Sequence, residues 1–221
     1  MTRWPSFPYI APFAVFVALL ALVPRLPLPA LADQVGRVVV MTVVLVLCSR
    51  QVIDLRVERW IGSVLIGLFV FVIWIAPDVL IPGYRHHWWF ENRVMGFAQT
   101  TLPPASQTQA PVLLFRSIRA ILIVPVVEEL FWRAWLMRWI IAPDFRKIPL
   151  GTYAPAAFWL TALLFASEHG SYWDVGLAAG VIYNWWMVRT RSLGDLILAH
   201  AVTNAGLSAY VIFAGKWEYW L

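Results

Sequence analysis

Three polar clusters interrupt the apolar second half of this 221-residue chain: Glu128-Glu129-x-x-x-Arg133, Phe165-x-x-x-His169 and His200-x-x-x-Asn204. Each falls within, or at the end of, a run that reads as a membrane-spanning helix. On insertion scales a central Arg, Lys or Asp costs about 2.5–3.5 kcal/mol, so ionisable residues in such places call for a functional reason. Carboxylates and imidazoles move protons, and an amide can donate to developing negative charge. The three clusters predict one shared polar site inside the bilayer.

Spacing assigns the groups to faces. Residues four apart lie on one side of a helix, so Glu129 meets Arg133, His200 meets Asn204, and Phe165 packs one turn before His169. Glu128 points about 100° away from Glu129, because a helix turns once in 3.6 residues. Glu129–Arg133 then reads as a neutralised structural ion pair, which leaves Glu128 to face a cavity as a general base. Plainer readings stand beside this one. His169, between Glu168 and Gly170, could be an interfacial residue, and His200 with Asn204 could be interhelical hydrogen-bond glue at about 0.6 kcal/mol per bond. Asn184, Trp185 and Trp186 could line the same cavity or simply pack, and Glu168 and Asp174 read as interfacial. Ser167 and Ser171 flank His169 without a Gly-x-Ser-x-Gly or Ser–Lys pattern, so a serine nucleophile is not indicated.

The elements that must position these groups are helices in lipid. The chain is 61% hydrophobic and 13% charged, whereas a soluble domain is roughly half apolar and a quarter charged. Mean hydropathy is +0.72, and the 14 tryptophans suit membrane interfaces, where an apolar ring and a polar N–H are both accommodated. An all-α, polytopic transmembrane bundle follows, expected as one integral membrane domain over 1–221, with N-terminal helices and a polar loop in 1–110 and a motif-bearing core in 111–214. Candidate spans, judged against the ~20 apolar residues of a crossing, are Pro8 to Val23, Val35 to Cys48, Trp60 to Ala76, Pro111 to Ile141, Tyr153 to Glu168, Val175 to Val188 and Leu193 to Ala214. That gives about seven helices, or eight if Pro125 breaks the fourth instead of kinking it. Met1 to Val23 lacks a small-x-small cleavage pattern and reads as a retained helix. The long loop Pro77 to Ala110 is expected to hold an interfacial helix around Trp88 to Phe97, with His86 and His87 solvated and not ligating.

Charge gives orientation. The formal +5 fits cytoplasmic loops and lipid phosphates, and no basic stripe interleaved with exposed aromatics suggests nucleic acid. Cys48 is alone, so no intramolecular disulfide is available. Arg50, Arg56 and Arg59, then Arg138, Arg146 and Lys147, then Arg189 and Arg191 mark one side as cytoplasmic. Arg25, Arg37, Arg85, Arg93, Arg116 and Arg119 dilute that bias on the other face. In this drawing His169 lies towards the opposite side from His200. Motifs that must meet cannot do so from opposite faces, and the shared site takes precedence over the loop drawing.

In this order, on successive membrane helices, EExxxR, FxxxH and HxxxN resemble the three motifs of the CPBP family, which contains the CAAX prenyl endopeptidases and their bacterial relatives. The resemblance covers about Pro111 to Ala214. Length and the arginine- and tryptophan-rich character also resemble the bacterial branch found with exosortase sorting systems. It implies an intramembrane endopeptidase of a bacterial inner membrane, working among membrane lipids on a membrane-associated protein or peptide. By motif position Glu128 would activate water, His169 would help to hold it, and His200 and Asn204 would stabilise the oxyanion. Glu129 and Arg133 would be structural. The alternative assignment makes Glu128, His169 and His200 zinc ligands, since two histidines and a carboxylate with an open position form a catalytic zinc set. No HExxH arrangement is present, and a metal-free glutamate mechanism is favoured with the metal left open. Two other classes remain: a non-catalytic binding or immunity-type membrane protein using the same pocket, and a proton-coupled carrier. Carriers more typically show inverted repeats and broken helices in both halves.

Overall fold

The computed structural model describes residues 4–23 and 26–220, so the expectations that rest on Met1 to Arg3 and on Arg25 lie outside the described residues. Among the described residues the chain forms seven main helices and no β-strand: α1 (Phe7–Leu22), α2 (Ala30–Ser49), α3 (Trp60–Leu80), α4 (Ala110–Trp139), α5 (Pro155–Ser167), α6 (Trp173–Thr190) and α7 (Leu193–Ala214). Four of them, α2, α3, α4 and α7, are long and apolar enough to cross a membrane, and α1 and α5 are shorter apolar helices. The protein is an integral membrane protein.

Helix α3 shows the inversion that lipid imposes. Leu65, Phe69 and Val72 recur at helical spacing on its exposed side, while Ser63, Gly67 and Val70 form the buried side. Lipid tails are as apolar as leucine, so helices associate through small residues and hydrogen bonds, not by hiding their bulkiest side chains. At Gly67 a Cβ would run into the Ala199 carbonyl and the Val202 side chain. Its absence lets α7 lie close against α3, where Thr203 Oγ1 donates to the Gly67 carbonyl at 2.8 Å and accepts from Tyr183 Oη at 2.8 Å.

Helix α4 stays one helix through Pro125, so the eight-helix alternative does not hold. Two wide, π-type turns at Arg119–Ile123 and Leu130–Leu136 absorb the strain. Proline has no N–H to give, and the Val124 N–H reaches back to the Arg119 carbonyl. The Ala120 carbonyl is thereby left for a partner on another helix. Helix α5 is short, 13 residues, about 20 Å at 1.5 Å per residue. It ends at Ser167, and the chain turns through Gly170, at φ 50°, into α6.

The two ends of the bundle are distinct. At one, Gly151 packs on Met187 and Arg191, Ser192 Oγ donates to the Arg56 carbonyl at 3.3 Å, and the Arg59 amide donates to Asp195 at 2.8 Å. Arg138 joins them through the Ile148 carbonyl at 3.2 Å, so basic segments expected to share a side do share one. At the other end the loop after α3 is tied down by Arg85, which bonds Asp78, Asp174 and the Ser171 carbonyl. The helix expected over Trp88 to Phe97 is absent. Asn92 Oδ1 accepts from the amides of Val94 (2.8 Å) and Met95 (3.0 Å), and Gly96 at φ 83° closes a short bridge back to Asn92. A side chain that takes up backbone donors in this way competes with the helix.

Candidate active site

Counted at 1.5 Å per residue from the end that gathers Arg138 and Arg191, His200 lies about 10 Å along α7 and Glu128 about 16 Å along α4. Helix α5 stops about 18 Å in, just before His169. The short α5 removes the conflict in the loop drawing, because His169 never reaches the far face. Glu128, His169, His200 and Asn204 all line one cavity of about 470 Å³, walled by Phe165 and Tyr183 and closed by α1 and Trp74 of α3.

Behind the cavity wall lies a buried network. Arg133 Nη1 donates to both oxygens of Glu129 at 3.1 Å, its Nε donates to Asn184 Oδ1 at 2.8 Å, and its Nη2 to the Gly180 carbonyl at 3.4 Å. The guanidinium sits 4.4 Å over the ring of Phe165, a contact worth about 2 kcal/mol when desolvated. Arg133 and Glu129 are both fully buried, and their ion pair is the one expected from spacing. Glu129 also has a partner that spacing could not give: His200 Nδ1 donates to its Oε1 at 2.7 Å. Asn184, a possible cavity residue, belongs to this wall instead, since its Nδ2 donates to the Phe158 carbonyl at 2.7 Å. Trp186 packs and donates to Ser63 Oγ at 3.3 Å. Glu168, expected at the membrane interface, lines the cavity as an exposed residue, and Asp174 is held by Arg85.

Hydrogen bonding fixes how each polar group meets the cavity. His169 Nδ1 lies 2.8 Å from the Phe165 carbonyl. A carbonyl can only accept, so Nδ1 carries the proton and Nε2 of the neutral ring keeps a lone pair. Gly176 makes room for this ring: a Cβ there would lie 3.1 Å from His169 Cγ and Nδ1. His200, with its Nδ1 proton given to Glu129, presents Nε2 as a lone pair when neutral and as a donor when protonated. Asn204 Nδ2 donates to the Ala120 carbonyl at 2.8 Å, the acceptor that Pro125 leaves unserved. This bond sets the amide's orientation and leaves its second N–H. Glu128 is only 8% exposed, and its Oε2 has no hydrogen-bond partner among the described residues. Such an oxygen costs about 1–3 kcal/mol.

Arg116 and Arg119, counted from sequence among the charges on the other face, lie in α4 and line the cavity. Among the described residues no group of three or more His, Cys, Asp or Glu side chains is placed to hold one metal ion.

Residues 110–206 match the family model described as type II CAAX prenyl endopeptidase Rce1-like. The motif-bearing segment is similar to that family. The match begins with α4, ends just beyond Asn204 and contains every motif residue of the cavity, which supports the CAAX protease-like resemblance. Helices α1 to α3 lie outside the matched segment, and of these α1 and α3 contribute to the cavity wall. No curated protein and no solved structure matches the chain.

Proposed function

We propose that the chain is an intramembrane endopeptidase that hydrolyses a peptide bond of a membrane-associated protein with water activated by Glu128. The observation that carries the reading is that Glu128, whose buried Oε2 has no hydrogen-bond partner among the described residues, lines the same cavity as two oriented imidazoles and an amide. A water held between Glu128 and the Nε2 lone pair of His169 gives a proton to the carboxylate as its oxygen attacks the scissile carbonyl. The resulting oxyanion accepts from the second N–H of Asn204, a donor of the kind that contributes about 2.7–4 kcal/mol to a transition state. His200, held by Glu129 through Nδ1, presents its Nε2 edge from the other side. Collapse of the intermediate breaks the C–N bond, and Glu128 returns its proton to the leaving amine. Glu129 and Arg133 touch no reacting atom in this scheme; they position His200 and Phe165.

The Rce1-like match and the apolar wall that α1 contributes through Phe16, Val17 and Leu20 favour a lipidated substrate. The scheme draws its chemistry from Glu128, His169, His200 and Asn204 alone. Glu128→Gln keeps shape and removes the base, so the purified variant is expected to fold like wild type and to lose cleavage entirely. Residual cleavage by Glu128→Gln, or wild-type activity lost with stoichiometric zinc under chelation, would overturn the reading.

A further inference from the structure

The cavity extends along α4 beyond Glu128, where Arg116, Ala120 and Val124 precede it at intervals of four. In a regular helix such a row drifts by about 40° per step. The wide turn at Arg119–Ile123 takes up part of that drift, so Arg119 also faces the cavity. Arg119 is 8% exposed, and its Nη1 is buried without a hydrogen-bond partner among the described residues. Its neighbours are differently placed. Arg37 pairs with Asp33, and Arg116 donates to Thr101 Oγ1 at 3.2 Å and lies 5.1 Å over the Trp220 ring. A guanidinium on the wall of a mostly apolar cavity with a donor unused is a preformed site for a planar anion, because its forked N–H groups match a carboxylate.

We propose that Arg119 anchors a carboxylate of the substrate, roughly two to four residues from the scissile bond. The interval follows from the helix. Nine residues separate Arg119 from Glu128, about 13 Å at 1.5 Å per residue, and an extended peptide covers about 3.3 Å per residue. The inference rests on the endopeptidase reading and names part of the substrate: a peptide with a C-terminal carboxylate or an acidic side chain at that distance. A lipid phosphate fits less well, because Arg119 lies about 13 Å inside α4 and lines the same cavity as Glu128, so that one ligand touches both.

The test uses the full chain carrying Glu128→Gln in phosphatidylcholine vesicles, so that binding is read whether or not the protein cleaves. The probes are an S-farnesyl-cysteine peptide with three further residues ending in a free carboxylate, the same peptide as its C-terminal amide, and the amide with an acidic third residue. Tryptophan fluorescence is expected to report both carboxylate-bearing peptides binding about tenfold or more tighter than the plain amide. Arg119→Met, added to Glu128→Gln, should bring all three to one affinity, and in the catalytic protein Arg119→Met should raise KM. If Arg119→Met fails to fold, Arg119→Lys carries the test, since a point charge without the fork should lose most of the discrimination. The proposal is overturned if none of the probes binds, if acid and amide bind equally, or if the difference survives the Arg119 variants. It is also overturned if those variants abolish stabilisation by phosphatidylglycerol vesicles while peptide binding is untouched, which would make the site one for lipid headgroups.

Discussion

Both oxygens of Glu129 are engaged by Arg133, and Oε1 also by His200, whereas one residue earlier Oε2 of Glu128 has no partner among the described residues. The rotation of about 100° between adjacent residues is enough to separate a wall group from a cavity group. Glu129→Ala is therefore expected to strand Arg133 and release His200, and breaking one side of a buried pair costs roughly 3–5 kcal/mol. A melting temperature in detergent well below that of wild type is the expected result, and an unshifted one would remove Glu129 from the wall. The i to i+4 pairing of Glu129 with Arg133 was legible in the sequence because one helix contains both partners. The bond from His200 was not, since it joins residues 71 positions apart and no local rule connects them. The place of Arg119 in the cavity was not legible for a related reason: an arginine near a span end counts towards the charge of that face until the neighbouring helices show which way it points.

At the scale of elements, Pro125 acts on Asn204 through a carbonyl. The proline withholds an N–H, the wide turn before it leaves the Ala120 oxygen unserved, and Asn204 takes that oxygen at 2.8 Å. Pro125→Ala restores a backbone donor within reach of Ala120. The variant should melt at or above the wild-type temperature, since proline inside a helix costs about 3 kcal/mol. Its kcat should nevertheless fall, towards the two to three orders of magnitude that loss of an oxyanion donor costs. A lowered melting temperature with unchanged kcat would show that the carbonyl does not orient Asn204. The order of the helices and most of their ends were legible, because apolar runs and their flanking polar residues report them directly. The wide turns of α4 were not, because propensity carries no record of hydrogen-bond register. The helix expected at Trp88 to Phe97 failed because Asn92 captures the donors it needed.

At the scale of the whole molecule, the loop after α3 is tethered to the bundle by Arg85 and carries its own pH-sensitive contact. His86 lies 2.9 Å from Glu91. The hydrogen bond to Glu91, and then its charge, raise the His86 pKa above its ordinary value. Burial pushes Glu91 up, but hydrogen bonds from His86 and the Ala98 amide bring it below the ordinary carboxylate value. A raised imidazole pKa means the contact is lost as pH rises through that pKa, and a lowered carboxylate pKa means it is lost as pH falls through the other. Hydrogen exchange at the Ala98 amide, bonded to Glu91 at 3.0 Å, should therefore be slowest between the two once corrected for its intrinsic rate. Protection unaltered across His86 titration would show that the histidine does not hold the loop.

The 13 residues of α5 have a further effect on the surrounding lipid. A helix of about 20 Å stands against a hydrocarbon layer of about 30 Å, and such hydrophobic mismatch is relieved by local thinning of the bilayer. Thinning falls beside the helix that leads into His169, where hydrolysis needs water delivered through an oily medium. Vesicles built from longer acyl chains should slow cleavage while leaving the melting temperature nearly constant, and equal rates across chain lengths would break the link. The membrane's own thickness then becomes a control on the rate, exerted through the deformation that one short helix imposes on its lipids.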